Sequence, residues 1–382
     1  MSWDKLNFMD CIQKISYTSK IAKKKFKKNG RFPIVSQEKK LINGFWDNSS
    51  DLFKCEDKGV VIFGDHTKTL KYINFDFVIG ADGVKILKPV EKLDPKFFYY
   101  QLRGIQIPDL GYARHFRLLK ENDLIIPPLS EQKQIVETLD KAFEKIDKAI
   151  ANIKRNIENA DELFESYLQN VFENKGDDWE ERKIDEVATV LNGHSFKSKD
   201  FSSENNIKSI KITNVGVKEF VKTEDNYLPS SFLETYKKYK VFKGNIVIAL
   251  TRTIISSGLK VAVVPDEYDN SLLNQRVAAL IPTSIINDDY LYHFFCTKIV
   301  SDYVLNNVNS LMQPNLSITD LKKLLIPCPS IEKQKEIVKK LNSMSNETKK
   351  LETIYSQKIA HLEELKKSIL EKAFKGELTN AA

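Results

Sequence analysis

The stretch "PPLSEQKQIVETL" at residues 127–139 returns as "PSIEKQKEIVKKL" at residues 329–341, an offset of 202. Each copy opens with proline, which forbids helix upstream, and runs on into an apolar-periodic segment. Ser130 is placed to cap the first run, Glu131 suits the positive end of its dipole, and Gly176 marks its stop. Apolar or small residues recur at Ile135, Leu139, Ala142, Ile146, Ala149, Ile153, Ile157, Ala160, Phe164, Tyr167 and Val171. Steps of three and four make a heptad seam with one slip, the pattern of a helix that packs along another helix.

The offset of 202 carries that seam to Ile337, Leu341, Met344, Thr348, Leu351, Tyr355, Ile359, Leu362, Lys366, Ile369 and Ala373. Identities run in the same register from Pro127/Pro329 through Gln132/Gln334 and Leu163/Leu365 to Phe172/Phe374. This is an internal duplication. Helices of ~45 residues are rods of roughly 65–70 Å, and each needs a partner along its length. The nearest seam is the other rod, and a two-fold relation between duplicates makes the pair antiparallel.

The segments ahead of the rods are related as well. "ADGVKILKP" (81–89) parallels "NQRVAALIP" (274–282), and "LDPKFFYYQL" (93–102) parallels "INDDYLYHFF" (286–295), both at an offset of 193. "WDKLNFMDCI" and "WEERKIDEVA", a loose match, are expected to open the two domains. The expected fold is α+β: two mixed α/β domains, 1–125 and 177–325, separated by two long helices, 126–176 and 326–378. The helices pack as an antiparallel coiled coil with pseudo-two-fold symmetry.

Composition narrows the function. The net charge of +7 is unevenly spread: residues 1–125 hold 23 basic and 15 acidic side chains, whereas 176–325 hold 18 and 19. A cationic surplus in the first segment suits a polyanion. No apolar run nears the ~20 residues of a membrane span and no signal peptide opens the chain, so a cytoplasmic location is expected. The four cysteines lie far apart without metal-ligand spacing. No GxxxxGK[ST] loop, no NPPY- or DPPY-like tetrapeptide and no glycine-rich cofactor loop is present, which argues against ATP hydrolysis or methyl transfer by this chain. "DDWEERK" (177–183) only faintly resembles a nuclease carboxylate–lysine set.

Candidate DNA contacts follow from side-chain chemistry. "KIAKKKFKKNGR" (20–31) offers Lys23, Lys24, Lys25, Lys27 and Lys28 as phosphate-binding cations; a solvated surface tract is the alternative. "FGDHTKTLKY" (63–72) places Asp65, His66, Thr67 and Lys68 on a loop between strands, and "GYARHFRLL" (111–119) adds Tyr112, Arg114 and His115. The second half offers Thr251, Arg252, Thr253, Ser257 and Lys260 in "ALTRTIISSGLKVAVV" (249–264), and Gln313 and Asn315 in "NSLMQPNLS" (309–317). Asn and Gln pair with adenine edges and Arg with guanine. For "NQR" (274–276) the alternative is a structural turn in which Asn274 and Gln275 bond backbone.

The proline-led, glutamine-bearing opening of each long helix resembles that of type I restriction-modification specificity (S) subunits. "LMQPNLSITDLKKLLIPCP", "LKKSILEKAFKGEL", "GDHTKTLKY…FVIGADGVKIL" and "GYARHFRLL" are also similar to that family. The resemblance covers essentially the whole chain. It implies that each mixed domain is a target recognition domain reading half of a bipartite double-stranded DNA site. It further implies that the helices set the spacer and dock two modification subunits, with restriction subunits joining them. S-adenosylmethionine, ATP and Mg2+ are then expected on those partners, with no cofactor or metal on this non-catalytic chain. The rival readings are a fused enzyme and a two-headed coiled-coil scaffold without sequence preference.

Overall fold

A computed structural model describes residues 3–55, 58–111, 113–223, 227–307 and 315–378. The two expected rods are single helices, Leu129–Glu173 and Ile331–Phe374. The chain forms two compact units, and both helices are divided between them. The first unit holds residues up to Lys154 together with Tyr355 onward, and the second holds Arg155–Ile354. Each unit therefore joins the start of one long helix to the end of the other.

In the first unit, strand Val60–Gly64 is flanked antiparallel by Leu70–Ile73 and Val84–Leu87. Every residue of "VVIFG" is buried, as expected for a central strand of β-branched and aromatic residues. A second, mixed sheet joins Lys20–Ile21, Phe32–Val35, Gly44–Trp46, Leu52–Phe53 and Phe77–Gly80. The opening strand Asp4–Asn7 pairs antiparallel with Asp123–Ile126, immediately before the long helix. Helix Pro95–Gly104 starts at Asp94, whose carboxylate accepts from Lys96 N and Phe97 N, both at 2.9 Å.

The second unit repeats this plan. Strand Ile246–Ala249 lies between Val261–Val263 and Val277–Pro282, with Ala188–Asn192 added outside, all antiparallel. The opener Glu180–Lys183 pairs with Leu325–Cys328, again just before a long helix. Helix Asp288–Phe295 is capped by Asn287, which stands 193 residues after Asp94. The strand and helix pairs expected from the two offsets are therefore the matching elements of the two units.

One side chain in each unit bolts the long helix to this framework. Gln132 is fully buried; its Oε1 accepts from Asp94 N at 2.8 Å, while Nε2 donates to Lys92 O at 2.9 Å and Pro127 O at 2.7 Å. Gln334, equally buried, accepts from Asn287 N at 2.7 Å and donates to Ile285 O at 3.1 Å and Pro329 O at 2.9 Å. All six backbone partners correspond through the two offsets. Two turns further along, Asp140 accepts from Tyr100 Oη at 2.5 Å and pairs with Lys96 at 2.6 Å. In the matching places His293 Nε2 meets Asn342 Oδ1 at 2.9 Å, and Asn342 Nδ2 donates to Asp289 at 3.3 Å.

Within each unit the two helices run antiparallel. Lys366, 8 % exposed, reaches Asp147 in the first unit, and Asp161 lies beside Glu352 in the second. Phe374 closes the first core edge-on against Phe97, with centroids 5.5 Å apart, and its duplicate Phe172 lies 5.0 Å from Tyr290 in the second.

Three local expectations are corrected. Ser130 does not cap the first helix: the helix opens at Leu129, and Pro128 O accepts from Glu131 N and Gln132 N. The buried stripe runs through Phe143, Ile150, Leu168 and Phe172, one residue beyond the expected Ala142, Ala149, Tyr167 and Val171. The helix faces both its partner and its own domain, so the larger side chains next to the seam fill the domain-side gap. In the second helix Leu351 is 40 % exposed and Glu352 turns inward beside Asp161; burial, followed by that carboxylate, raises the Glu352 pKa.

The glutamine bolts generate a stability prediction. Gln132→Leu leaves an amide N–H and two carbonyls buried without partners, at roughly 1–3 kcal/mol each. Hydrogen exchange should show lost protection at the Asp94 amide and the first turns of Pro95–Gly104, with the second unit unchanged. Gln334→Leu should do the same at Asn287 alone. Unaltered protection in either variant would remove the bolt.

Candidate nucleic-acid interface

In the first unit, strand and turn geometry bring loops 36–43, 64–69 and 81–83, with residues 109–111 and 113–116, to one edge. Turn 64–69 is closed by Lys68 N donating to Gly64 O and Asp65 N to Gly83 O, both at 2.8 Å. Lys68 adopts φ +57° and pairs with Asp109 at 3.1 Å. Gln37 ties the neighbouring loop down: its Oε1 accepts from His66 N at 3.2 Å, and its carbonyl accepts from Thr67 Oγ1 at 2.6 Å. A Cβ on Gly83 would lie 2.7 Å from that Oε1, so the loops approach this closely because a glycine stands there. Lys71 holds loop 36–43 from below, donating to Ser36 O at 2.8 Å, to Lys40 O, and to Asn43 Oδ1 at 3.2 Å. Burial pushes the Lys71 pKa down to about 8.

Two expected contacts belong to this framework. His115 is fully buried; its Nδ1 lies 3.1 Å from Asp65 O and its Nε2 accepts from Leu110 N at 3.2 Å, which assigns the proton to Nδ1. Asp65 is 4 % exposed and accepts from Phe116 N at 2.9 Å, with Lys85 at 4.0 Å. Neither can reach a nucleic acid, and together they fasten Leu110, His115 and Phe116 to turn 64–69. Exposed Thr67 and Arg114 and half-buried His66 and Lys68 remain at the edge. Tyr112 lies outside the described residues.

The lysine tract adjoins this edge. Lys23–Lys25 form a single 3-10 turn, and Phe26 packs against Gly44 and Gly80, where added Cβ atoms would meet it at 2.9 and 3.0 Å. Lys23 pairs with Glu38, and Lys27 pairs with Asp47 at 2.7 Å. Lys24, Lys25 and Lys28 are exposed, with no acidic partner among the described residues. They are the cations left for a polyanion.

The second unit gathers loops 193–199, 250–260 and 274–276 at the matching edge. Leu250 N donates to Arg276 O at 2.9 Å, Leu316 N to Leu250 O at 2.9 Å, and Arg252 N to Asn315 Oδ1 at 3.3 Å. Arg252, at φ +48°, Ser257 and Asn315 are exposed, and Thr251 is half-buried. Thr253 is a correction: it is fully buried, with its carbonyl receiving Lys260 N at 2.8 Å, and it braces the loop from inside. Lys260 Nζ is engaged by Ile212 O at 3.0 Å, and burial lowers its pKa. Gln313 lies outside the described residues.

Sequence reasoning missed an aromatic platform at this edge. The His194 ring centroid lies 4.6 Å from that of Tyr236 and 5.0 Å from those of Tyr239 and Phe196. Lys197, Lys199, Lys237 and Lys238, all exposed, flank these rings in sequence, and Lys238 Nζ lies 4.8 Å from the Tyr239 centroid. The signal available was the spacing in "HSFKSK" (194–199) and "YKKYK" (236–240), cations interleaved with aromatic rings. Among the described residues, no group of three or more His, Cys, Asp or Glu side chains is placed to hold a metal ion, and no helix is long and apolar enough to cross a membrane.

Known proteins share this architecture. At the level of fold, the chain is similar to a structure of a type I R-M system (TM-score 0.72, 16% identity, 98% of each chain). It is also similar to the HsdS subunit from Thermoanaerobacter tengcongensis (TM-score 0.53, 16% identity, 98% of this chain and 97% of that one). In sequence it is 28% identical over 307 residues to the MjaVIII specificity subunit of Methanocaldococcus jannaschii, covering 75% of this chain and 68% of that protein. With the EcoBI specificity subunit of Escherichia coli it shares 23% identity over 375 residues, covering 89% and 76%. The model of the type I restriction modification DNA specificity domain matches residues 3–159 and again 176–363. Matched once on each side of its duplication, the chain belongs to the type I restriction-modification DNA specificity family.

Proposed function

We propose that this chain is the non-catalytic specificity subunit of a type I restriction-modification complex, acting in the cytoplasm. Each unit reads one half of a bipartite double-stranded DNA target. The observation that carries this reading is that each unit bolts several loops to one edge and leaves unpaired cations and polar tips exposed there. In the first unit Lys24, Lys25 and Lys28, with Lys23 and Lys27 beside them, meet phosphates. His66, Thr67, Lys68 and Arg114 face the groove, with Tyr112 assigned on chemistry alone. In the second, Thr251, Arg252, Ser257 and Asn315 take that place, backed by Lys260, with Gln313 again assigned on chemistry alone. Asp65, His115 and Thr253 act from within, by holding the loops.

The long helices set the unread spacer and dock two modification subunits, and restriction subunits complete the assembly. S-adenosylmethionine, ATP and Mg2+ belong to those partners. The absence of phosphate-loop and methyltransferase motifs from this sequence agrees with that division of labour.

Methylome sequencing of cells that express the chain with its modification subunits should yield one motif made of two read halves around an unread spacer; no motif would sink the proposal. Inserting seven residues after Lys154 and seven after Lys358, matched by the antiparallel register, lengthens the rods by about 10 Å. The spacer should then grow by about three base pairs. An unchanged spacer would show that the helices do not set it. Replacing Lys24, Lys25 and Lys28 with Gln should weaken binding on every duplex alike. The log Kd against log salt slope should drop by about 0.9 for each lysine that neutralises a phosphate. An unchanged slope would return the tract to ordinary solvated surface.

A further inference from the structure

We infer that Gln275 and Arg276 are specificity-determining residues of the second unit, each reading a base edge in one half of the target. The inference rests on the proposed DNA-specificity function and goes beyond it in naming the readers.

Their backbone is among the most firmly tied at this edge. Asn274 N donates to Ile210 O and Gln275 N to His194 O, both at 3.0 Å. Leu250 N donates to Arg276 O, and Val277 N to Asn274 O, both at 2.9 Å. The half-buried Asn274 folds its side chain back on the turn, where Oδ1 accepts from Arg276 N at 3.4 Å. Gly193 passes so close that a Cβ there would lie 2.1 Å from Asn274 O. The structural reading of "NQR" thus holds for the backbone of both residues and for the Asn274 side chain, and leaves the Gln275 side chain unengaged.

Gln275 and Arg276 are exposed, and their side chains have no partner among the described residues. Long polar side chains on a loose loop are ordinary solvated surface. Here the Cα positions are held by hydrogen bonds on both flanks, so binding loses only side-chain freedom, as preorganisation requires. The chemistry suits direct readout: a glutamine amide pairs with adenine N6 and N7, and a guanidinium fork with guanine O6 and N7.

The duplication supplies an independent argument. At the offset of 193, the same bolted turn of the first unit carries Ala81-Asp82-Gly83. There Gly83 O accepts from Asp65 N at 2.8 Å, and Gly83 makes room for Gln37. One framework thus presents short side chains in one unit and two base-pairing side chains in the other. Two units that share a scaffold and read different half-sites would differ in this way.

The test uses the complex with its modification subunits and the motif that its methylome defines. Dissociation constants are measured on duplexes carrying the motif and each single-base substitution in both halves. The wild type should discriminate roughly 10- to 100-fold at each read base. Gln275→Ala and Arg276→Ala should each flatten one position to less than about 3-fold, in the same half, leaving the other half intact. Arg276→Lys should keep much of the affinity while losing that discrimination, because an ammonium cannot form the fork. Full discrimination at every position in both alanine variants overturns the inference, and so does an equal loss on all duplexes, complete loss included. A motif in the wild type with variants that read like it refutes only this inference; no motif in the wild type refutes the function and the inference together.

Discussion

The arrangement turns on one buried amide in each unit. Where each long helix leaves its domain, three backbone groups face inward: the carbonyls of Lys92 and Pro127 and the amide of Asp94. Their counterparts at Ile285, Pro329 and Asn287 face Gln334. Closing two acceptors and one donor from the first turn of a helix needs a side chain with two donors, one acceptor and the reach of glutamine. Glutamate lacks the donors, lysine lacks the acceptor, and asparagine is one methylene short. Leaving the three groups open would cost several kcal/mol. This explains why the glutamine recurs at the same offset as the proline whose carbonyl it takes.

Two turns further along, the two units keep the geometry and exchange the chemistry. Tyr100 and Lys96 meet Asp140 in the first unit, while His293 and Asp289 meet Asn342 in the second. The Lys96–Asp140 ion pair is about one-third exposed at both ends and contributes on the order of 1 kcal/mol or less. The rings close by do more. Burial of Phe97 and Tyr290 against Phe374 and Phe172 contributes about 1.5–3 kcal/mol for each side chain. Apolar contact thus sets the strength of the joint, and the polar pair can vary provided both partners stay satisfied. His293 fits this view: burial lowers its pKa, and Asn342 supplies the neutral partner such a ring needs.

Much of the fold was legible because it rests on periodicity and offset, which a sequence displays directly. Both rods, their antiparallel pairing and the paired strands and helices at offset 193 follow from pattern alone. The one-residue shift of the buried stripe was not legible, since a helix packed against two neighbours has a stripe wider than a heptad seam, and sequence does not show which flank is covered. Site residues were harder for a related reason. A sequence shows that His115, Asp65 and Thr253 are polar, and only the fold shows that they point inward. The platform of His194, Tyr236 and Tyr239 draws on segments about 40 residues apart, so no local motif contained it.

Net charge is a poor guide to which unit reads bases. The first unit's surplus is partly met by its own surface carboxylates, where Glu38 and Asp47 pair with Lys23 and Lys27. The second unit is near neutral over its length, yet exposed Lys197, Lys199, Lys237 and Lys238 flank the rings of one aromatic platform in sequence. Phosphate contacts govern affinity and its salt dependence, whereas discrimination comes from side chains held against base edges. The reading proposed for turn 274–276 concerns the second quantity, and its backbone bonds do not depend on overall charge. A neutral domain is therefore no weaker a reader than a basic one, provided its tips are free and the backbone beneath them is not.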